Sequence, residues 1–416
     1  MNRRTFGILA LLVVVGFYAL GTGFDFFFNF LYVLILVTGI GFSWAWLNLR
    51  GIELSVTREA TRGQVGGYLL GQVSIINHTR MPKSWLEVAE ATGPSAKTSG
   101  RGLALVRDQV RSWRIRTYLA KRGVFRSGKV QLVSQDPFGL FRLNREFLDP
   151  HSYIVFPAVE PLPNLDARFA GLPSDSRATR HWEQITTDVA SIRAYSEGDS
   201  MRRIHWPYTA RMNELMVKEF DMGLSAEAWV LLDMHQDSHF GADLDDVNNT
   251  EELSVTVAAS IIGRLMDQSM PVGLASNGDR NHIYRPDSSA EQRGRLMEAL
   301  AEVQARGQRT LQEFIYDIRS HLNQFNALTV VTSSVDTQWV AALNSLRQQG
   351  VVVAVVLVDR SSFGSPKNMD GPLEALKANL ISAYVVRRDD NLNDALQFPV
   401  WEIPRSWTSG AARGAE

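Results

Sequence analysis

The stretch FFFNFLYVLILVTGIGFSWAWLNL, residues 26–49, contains no charged side chain. A helix of about 20 apolar residues is long enough to cross the hydrocarbon core of a bilayer. A second apolar run, FGILALLVVVGFYALGTG (residues 6–23), precedes it, and Asp25 lies in the short turn expected between them. A cleaved signal peptide is a single, shorter run. The pair therefore predicts a transmembrane hairpin over residues 1–50, with a buried hairpin of a soluble protein as the alternative.

Positively charged residues lie at the two ends of this hairpin, which would face the same side of the membrane, and none lies in the turn between the helices. Arg3 and Arg4 precede the first run, Arg50 and Arg58 follow the second, and no Lys or Arg lies between the runs. Because positively charged flanks stay in the cytoplasm, we expect both termini and the whole soluble body to be cytoplasmic. The expected location is the inner (plasma) membrane, crossed twice.

The composition excludes several classes of function. The chain has 416 residues, 45% of them apolar, a formal net charge of −1 and no cysteine. Without cysteine there are no disulfides, thiolate nucleophiles, zinc–thiolate sites or iron–sulfur clusters. A net charge near zero gives no general attraction to nucleic acid, so no nucleic-acid partner is expected. The phosphate-loop pattern GxxxxGK[ST] is absent, so we expect no nucleotide bound in that way.

Short alternating runs follow the hairpin. ELSVTREAT, YLLGQVSIINHT, SWLEVAEA, QVRSWRIRTYLA and KVQLVSQD alternate apolar and polar residues and are separated by glycines. Period-two patterns of this length are typical of half-buried strands. They predict an all-β sandwich over residues 51–158. DPFGLF (residues 136–141) predicts a turn at its edge, with Phe138, Leu140 and Phe141 filling a core.

A connector over residues 159–226 carries RAYSEGDSMRRIHWPYTAR, residues 193–211. We expect a strand to end at Arg193–Tyr195, and a short helix over Ser200–Trp206 capped by Asp199 and ended by Pro207. The favoured interpretation is a buried network of ion pairs and hydrogen bonds. The alternative is a partner-binding or anion-binding surface formed by its arginines.

The pattern changes again from residue 227. Near-continuous apolar strands such as AWVLLD and VVVAVVLVD alternate with amphipathic helices. This is typical of a parallel sheet with helices on both faces, and predicts a Rossmann-like α/β domain over residues 227–405. Ligands of such sheets bind at the carboxyl ends of the strands, here Asp233–Asp237, Thr332–Asp336 and Asp359–Ser362. Residues 406–416 are expected to be a disordered tail.

Three stretches resemble those of a known family: RGVFRSGKVQLVSQDPFGLFR (122–142), the motif from Arg193, and WVLLDMHQDS (229–238). The family is the bacterial domain-of-unknown-function family 58, whose members carry a membrane hairpin, a β-sandwich and a von Willebrand factor A-like domain. His205 and Pro207 depart from its pattern. The matching motif residues are Arg193, Tyr195, Gly198, Asp199, Arg202, Arg203, Trp206, Arg211, Lys218 and Glu219.

The resemblance also implies a candidate metal site. An A-like domain can hold Mg²⁺ through Asp-x-Ser-x-Ser after its first strand, with a Thr and an Asp from later loops. Asp233 matches, whereas His235 and Asp237 replace both serines; Thr332 and Asp336 are the later-loop candidates. Two alternatives remain for the histidines and aspartates of this segment: they bind a softer divalent ion, or they bind no metal and contact water. No nucleophile has an identifiable base, so no catalytic residue is predicted.

Family resemblance implies a context rather than an activity. Members look like partners of MoxR-type AAA+ ATPases. We therefore expect a non-enzymatic, membrane-anchored adaptor that works with such an ATPase in the assembly or maturation of a membrane or envelope complex. The alternatives are a Mg²⁺-dependent ligand-binding module at the degenerate A-domain site and, third, a hydrolase.

Overall fold

A computed structural model describes residues 3–90, 101–126, 129–148, 152–171, 189–194, 206–212, 214–220, 227–241, 248–324 and 326–402. The chain divides into two compact units, residues 1–156 and 157–416. The first unit contains α1 (Arg3–Thr22), α2 (Asp25–Leu49), β1 (Ile52–Arg58), β2 (Arg62–Gln64), β3 (Tyr68–Asn77), β4 (Lys83–Glu90), β5 (Arg101–Leu105), β6 (Val110–Tyr118), β7 (Gly123–Arg126), β8 (Lys129–Gln135), β9 (Arg142–Leu148) and β10 (Ser152–Phe156).

The second unit contains β11 (Val189–Ala194), α3 (Trp206–Met212), β12 (Met216–Phe220), β13 (Glu227–Leu232), α4 (Thr250–Asp267), β14 (Val272–Asn277), β15 (Asn281–Asp287), α5 (Ala290–Glu302), α6 (Leu311–Ile318), β16 (Asn326–Thr332), α7 (Gln338–Gln348), β17 (Val352–Val358), α8 (Asp370–Ala378), β18 (Ser382–Val386) and α9 (Leu392–Ala395). Short 3₁₀ turns occur at Ala167–Ala170, Gln236–Ser238, Arg319–His321 and Arg360–Phe363.

The two apolar runs form the helices α1 and α2. Both are long and apolar enough to cross a membrane, and only 6% of the apolar stretch of each is buried. That exposure distinguishes them from the core helices of a soluble protein. Gly23 adopts a φ of 68° at the turn between them, a conformation that glycine reaches without steric cost. The sequence predicted Asp25 in the turn, which is wrong. Asp25 is instead the first residue of α2, where a carboxylate interacts favourably with the helix dipole.

The rest of the first unit is β-rich, as predicted. Its described strands form the antiparallel sheets β1-β3-β6 and β5-β4-β8-β9 and the mixed sheet β2-β10-β7. The five predicted strands correspond to β1, β3, β4, β6 and β8, whereas the shorter β2, β5 and β7 and the polar β9 were missed. Apolar side chains of both antiparallel sheets share one core cluster, which includes Val73, Ile75, Leu86 and Leu132.

DPFGLF forms the predicted turn. The Asp136 carboxylate accepts hydrogen bonds from the backbone N–H of Phe138 (2.9 Å) and Phe141 (2.6 Å), and Gly139 has a φ of 67°. The expectation that Phe138 fills a core is wrong, because its side chain is 56% exposed. Phe138 lies at the exposed part of the turn, whose backbone Asp136 holds through the N–H groups of Phe138 and Phe141.

The described part of the connector contains a pair of antiparallel strands, β11 and β12, and the helix α3. The prediction that Pro207 ends a helix is wrong, because Pro207 is the second residue of α3. A proline fits the first turn of a helix, where its missing N–H would have no partner in any case. Residues 195–205, including the predicted cap Asp199, lie outside the described residues.

A six-stranded sheet, β15-β14-β13-β16-β17-β18, forms the centre of the second unit. All its pairs are parallel except β14 with β15, so the predicted parallel sheet carries one antiparallel edge strand that the pattern did not indicate. Only residues 278–280 join β14 to β15, and a parallel pairing needs a crossover of a dozen or more residues. A short connection therefore folds back as a hairpin.

Both faces of this sheet are covered. Trp229 and Leu231 of β13 belong to a core cluster with residues of α6, α7 and α8, including Phe314, Trp339 and Leu376. The alternate β13 residues Ala228 and Val230 are equally buried. Because successive strand residues point to opposite faces, the sheet is packed on both sides, as the apolar runs predicted.

Candidate functional site

Asp233 lies at the carboxyl end of the central strand β13. The neighbouring strands β14 and β16 are reached by connections in opposite directions, so this is the point where the strand order reverses. In open α/β sheets, ligands bind in the crevice beside such a point. Asp233 is completely buried, which is rare for a carboxylate unless hydrogen bonds satisfy it.

Three neighbouring groups provide those hydrogen bonds. Thr332 Oγ1, at the end of β16, donates to Asp233 Oδ2 at 2.7 Å. Asn277 Nδ2, at the end of β14, and the His235 backbone N–H donate to Oδ1 at 3.2 and 3.1 Å. Asp233 therefore connects the ends of three adjacent strands. Thr332 was predicted at this place.

Sequence reasoning missed Asn277. Its side-chain oxygen accepts the Met234 N–H at 2.6 Å, and its Nδ2 also donates to the Arg309 carbonyl at 3.0 Å. The only sequence signal is an asparagine that closes the buried strand PVGLASN, which is also what a simple turn residue looks like.

His239 binds the backbone of the same loop. Its Nε2 lies 2.8 Å from the Asp233 carbonyl oxygen, so Nε2 carries the proton and donates it. Its Nδ1 lies 3.4 Å from the hydroxyls of Thr250 and Ser333. This ring is therefore held between the loop after β13, the start of α4 and the end of β16.

Of the other predicted metal ligands, His235 bonds Asp233 through its backbone N–H, whereas Asp237 and Asp336 have other hydrogen-bond partners. Asp336 Oδ1 accepts the N–H groups of Thr337 and Gln338 at the start of α7. The Asp237 carbonyl accepts a bond from Arg360 Nη1 at 3.3 Å. Burial lowers the pKa of Arg360, and the Asp237 carboxylate partly opposes that shift.

Within the described part of the chain, no group of three or more His, Asp or Glu is placed to hold a metal ion. The adjacent oxygens of Asp233 and Thr332 suit a hard cation such as Mg²⁺, but both Asp233 oxygens already accept protein hydrogen bonds. The residues present therefore fit a metal only in part. Mg²⁺ binding here stays a prediction.

The third predicted strand end, Asp359–Ser362, forms a local turn. Asp359 Oδ1 accepts the N–H and hydroxyl of Ser361 at 3.0 and 2.6 Å, and Oδ2 lies 3.3 Å from Arg387 Nε. Both carboxylate oxygens of Asp359 are therefore bonded to residues of the loops that follow β17 and β18.

The structure describes only part of the motif that begins at Arg193. Arg193 pairs with Val217 between β11 and β12, and Lys218 and Glu219 lie in β12. Trp206 and Arg211 are exposed on α3, the former by 64%. Tyr195, Gly198, Asp199, Arg202 and Arg203 lie outside the described residues. The buried network and the binding surface therefore both stay predictions.

A second polar cluster, not predicted, lies in the first unit where α2 meets the strands. Lys83 Nζ donates to the Leu47 carbonyl oxygen, and Asn48 Nδ2 donates to Ser134 Oγ at 3.2 Å. Asn48 also exchanges bonds with the backbone of Ser84. Asn48 and Lys83 are 0% and 2% exposed, so the last turn of α2 is fixed to β4 and β8.

Residues 191–378 match the family described as protein of unknown function DUF58, which confirms the predicted resemblance. The uncharacterized protein YeaD of Bacillus subtilis (strain 168) is 26% identical over 246 residues, or 57% of this chain and 58% of YeaD. The matched region thus spans little more than half of that relative.

Similarity to solved structures is weak. A β-glucosidase of Erythrobacter marinus, EmGH1, gives a TM-score of 0.17 at 10% identity, covering 25% of this chain and 15% of that one. The structural-genomics target SoR45 gives 0.19 at 15% identity, covering 26% and 88%. Scores this low support no statement about fold or activity.

Proposed function

We propose that this chain, whose residues 191–378 match the DUF58 family, is a non-enzymatic interaction protein held in the membrane by α1 and α2. The observation that carries the proposal is the junction of Asn48 and Lys83, where the last turn of an exposed apolar helix is fixed to the β-rich body. Such a junction would hold the body at a set position on the membrane surface.

The orientation is part of the proposal. Arg3, Arg4 and Arg50 flank the hairpin on one side, which favours a body that faces the cytoplasm. The natural absence of cysteine makes a labelling test simple. An impermeant maleimide should label Phe24→Cys, between the helices, in intact cells, and Ser55→Cys, exposed on β1, only after lysis. The opposite pattern would reverse the orientation.

The proposed body has a sandwich followed by a von Willebrand factor A-like domain. Two features support it: the apolar core shared by two antiparallel sheets, and the strand order with a single antiparallel edge. In this arrangement the carboxyl ends of β13, β14 and β16 would form the binding face, around Asp233.

A MoxR-type AAA+ ATPase is the proposed partner, on the basis of family resemblance. We would crosslink native membranes and purify the tagged chain as wild type, as Arg203→Ala, and as Arg347→Ala, a control on the exposed side of α7. Co-purification of an ATPase that only Arg203→Ala loses, with unchanged melting, supports the adaptor role. If no ATPase is recovered at any crosslinker dose, that partner is wrong.

The second candidate is Mg²⁺-dependent ligand binding, favoured by the 2.7 Å contact between Thr332 Oγ1 and Asp233 at the switch point of the sheet. Calorimetric titration of Mg²⁺ into the chelator-treated protein tests it. Saturable heat that Asp233→Asn removes would support the candidate, whereas absence of heat in the wild type would eliminate it.

A further inference from the structure

A cavity of about 340 Å³ lies where α2 meets the loops of the β-rich body. Its lining includes Trp44 from α2, Ser84 and Trp85 from β4, and Asp136 and Phe138 from the DPFGLF turn. Nothing in the proposed adaptor role uses this cavity.

A groove of about 370 Å³ lies along α2 next to the cavity, and Trp44 lines both. Its walls include Leu36, Gly39, Ile40 and Leu47. Eleven helical residues, at about 1.5 Å each, separate Leu36 from Leu47, which gives roughly 17 Å. One leaflet of bilayer hydrocarbon is about 15 Å deep, so the groove has the length of one lipid acyl chain.

The turn at residues 136–141 places the cavity at the end of the hairpin. Thr5 Oγ1 of α1 donates to the Leu140 carbonyl at 2.6 Å, and the rings of Phe42 and Phe141 are 5.6 Å apart. A Cβ built on Gly41 would lie 3.3 Å from an oxygen of Asp136. Both apolar helices therefore contact the turn near the side that carries the flanking arginines.

Trp85 reaches the cavity because β4 is irregular. The pairing of β4 with β5 shifts between Lys83 and Leu86, and both of those residues are buried. Simple alternation would put Trp85 inside, but the extra residue turns it outward, where it is 79% exposed. Its φ of 61° is unusual for a bulky residue, and strain of this kind collects at binding sites.

The lining favours a cation. Trp44, Trp85 and Phe138 supply three aromatic rings, and Asp136 supplies the only formal charge among the residues that line the cavity, none of which is Lys or Arg. Aromatic faces attract ammonium groups. The Asp136 carboxylate, whose two oxygens accept the backbone N–H groups of Phe138 and Phe141, adds a longer-range electrostatic attraction. An anionic headgroup, in contrast, would meet Asp136 with no basic residue in the lining to offset it.

We propose that the cavity and groove bind a phospholipid with an amine-bearing headgroup, the ammonium in the cavity and one acyl chain along α2. The proposal rests on membrane insertion of the hairpin. It adds a lipid-binding site to the anchored protein and is independent of the ATPase partner.

The test uses the full chain in nanodiscs of equal parts phosphatidylethanolamine and phosphatidylglycerol, with native mass spectrometry of the lipids retained after release. We expect the amine lipid to be retained on the order of tenfold over the anionic one, a difference that corresponds to about 1.4 kcal/mol. Trp85→Leu should abolish this preference. The control is Trp46→Leu, an exposed tryptophan of α2 that does not line the cavity.

The groove is tested separately. A Cβ on Gly39 would meet no protein atom within 4 Å, so Gly39→Leu should fold and fill the groove. Gly16→Leu in α1, equally unobstructed, is its control. The proposal predicts loss of retained lipid only for Gly39→Leu.

Three results would each overturn the lipid site while leaving the membrane anchor intact. They are equal retention of both lipids, a preference for the anionic lipid, and a variant (Trp85→Leu or Gly39→Leu) that behaves like its control. Alkaline extraction of membranes separates the two claims. A chain that is released into the soluble fraction would overturn the anchor and the lipid site together.

Discussion

The Lys83 ammonium donates a hydrogen bond of 2.6 Å to the carbonyl oxygen of Leu47, in the last turn of α2. Carbonyls at a helix C-terminus have no partner within the helix, and a cation there also favours the helix dipole. Lys83 is only 2% exposed, and the Leu47 carbonyl oxygen accepts a hydrogen bond from its buried ammonium. A lysine at the start of a strand thus completes a helix more than 30 residues earlier in the chain.

Replacing Lys83 should weaken the first unit. Lys83→Met fills similar volume but removes one of the two donors to the Leu47 carbonyl, the other being the Arg50 backbone N–H at 3.2 Å, so we expect a loss of about 1 kcal/mol in the free energy of unfolding. Thermal melting of the full chain in detergent measures it. Lys377→Met is the control, because Lys377 also ends a helix but is exposed. Equal melting of the two variants would show that the contact contributes nothing.

The same lysine predicts a pH dependence. Burial lowers the pKa of Lys83 below its ordinary 10.5, so between the lowered pKa and pH 10.5 the folded protein binds fewer protons than the unfolded chain. Stability contributed by this group must therefore rise as pH rises through that window. Urea unfolding from neutral pH to pH 10.5 should show the rise in wild type and a smaller one in Lys83→Met. Parallel curves would contradict it.

Asp233 should be far more sensitive to substitution than Asp336. Asp233→Asn turns one carboxylate oxygen into a donor that faces the donors of Thr332, Asn277 or His235, so we expect a loss of about 2 kcal/mol. Asp336→Asn keeps an acceptor at an exposed site and should change stability by less than about 0.5 kcal/mol. Chemical denaturation compares them. A tolerant Asp233 would mean that its hydrogen bonds are not structural.

Gly307 should not accept a side chain. A Cβ there would lie 1.8 Å from the Asn277 carbonyl oxygen, while the Gly307 backbone exchanges bonds with Met234 and Gln236. We expect Gly307→Ala to displace the loop beside Asp233 and to lower the melting temperature below that of the wild type. Gly294→Ala, unobstructed within α5, should instead stabilise by about 0.5–1 kcal/mol. A harmless Gly307→Ala would contradict the close approach.

Periodicity predicted most of the architecture. The runs of β13, β16 and β17 are almost wholly apolar because both faces are covered, and the strands β1 and β3 alternate because one face is solvated. The antiparallel β15 could not be recognised by pattern, since NHIYRPD alternates like any half-buried strand; only the short connection before it indicates the direction. The prediction at Pro207 was wrong because a proline disrupts the interior of a helix but is tolerated in its first turn, where Pro207 lies.

The site was less predictable. Asp233 and Thr332 follow apolar strands, which the sequence shows, and the sheet brings strand ends together. Asn277 gave only the signal of an ordinary turn residue and Lys83 gave none, because each is defined by a contact with a distant backbone group: the Met234 N–H for Asn277 and the Leu47 carbonyl for Lys83. Such contacts depend on tertiary packing, which single-sequence patterns do not encode.

Leu49, the last residue of α2, belongs to the same apolar cluster as Ile52, Val73 and Leu132. The end of the apolar helix is therefore not an end of the fold. A fragment cut at residue 51 would lack part of its own interior and would expose Ile52 to water. The β-rich body would complete its interior only with the end of the second helix in place, which would couple membrane insertion of the hairpin to folding of this unit.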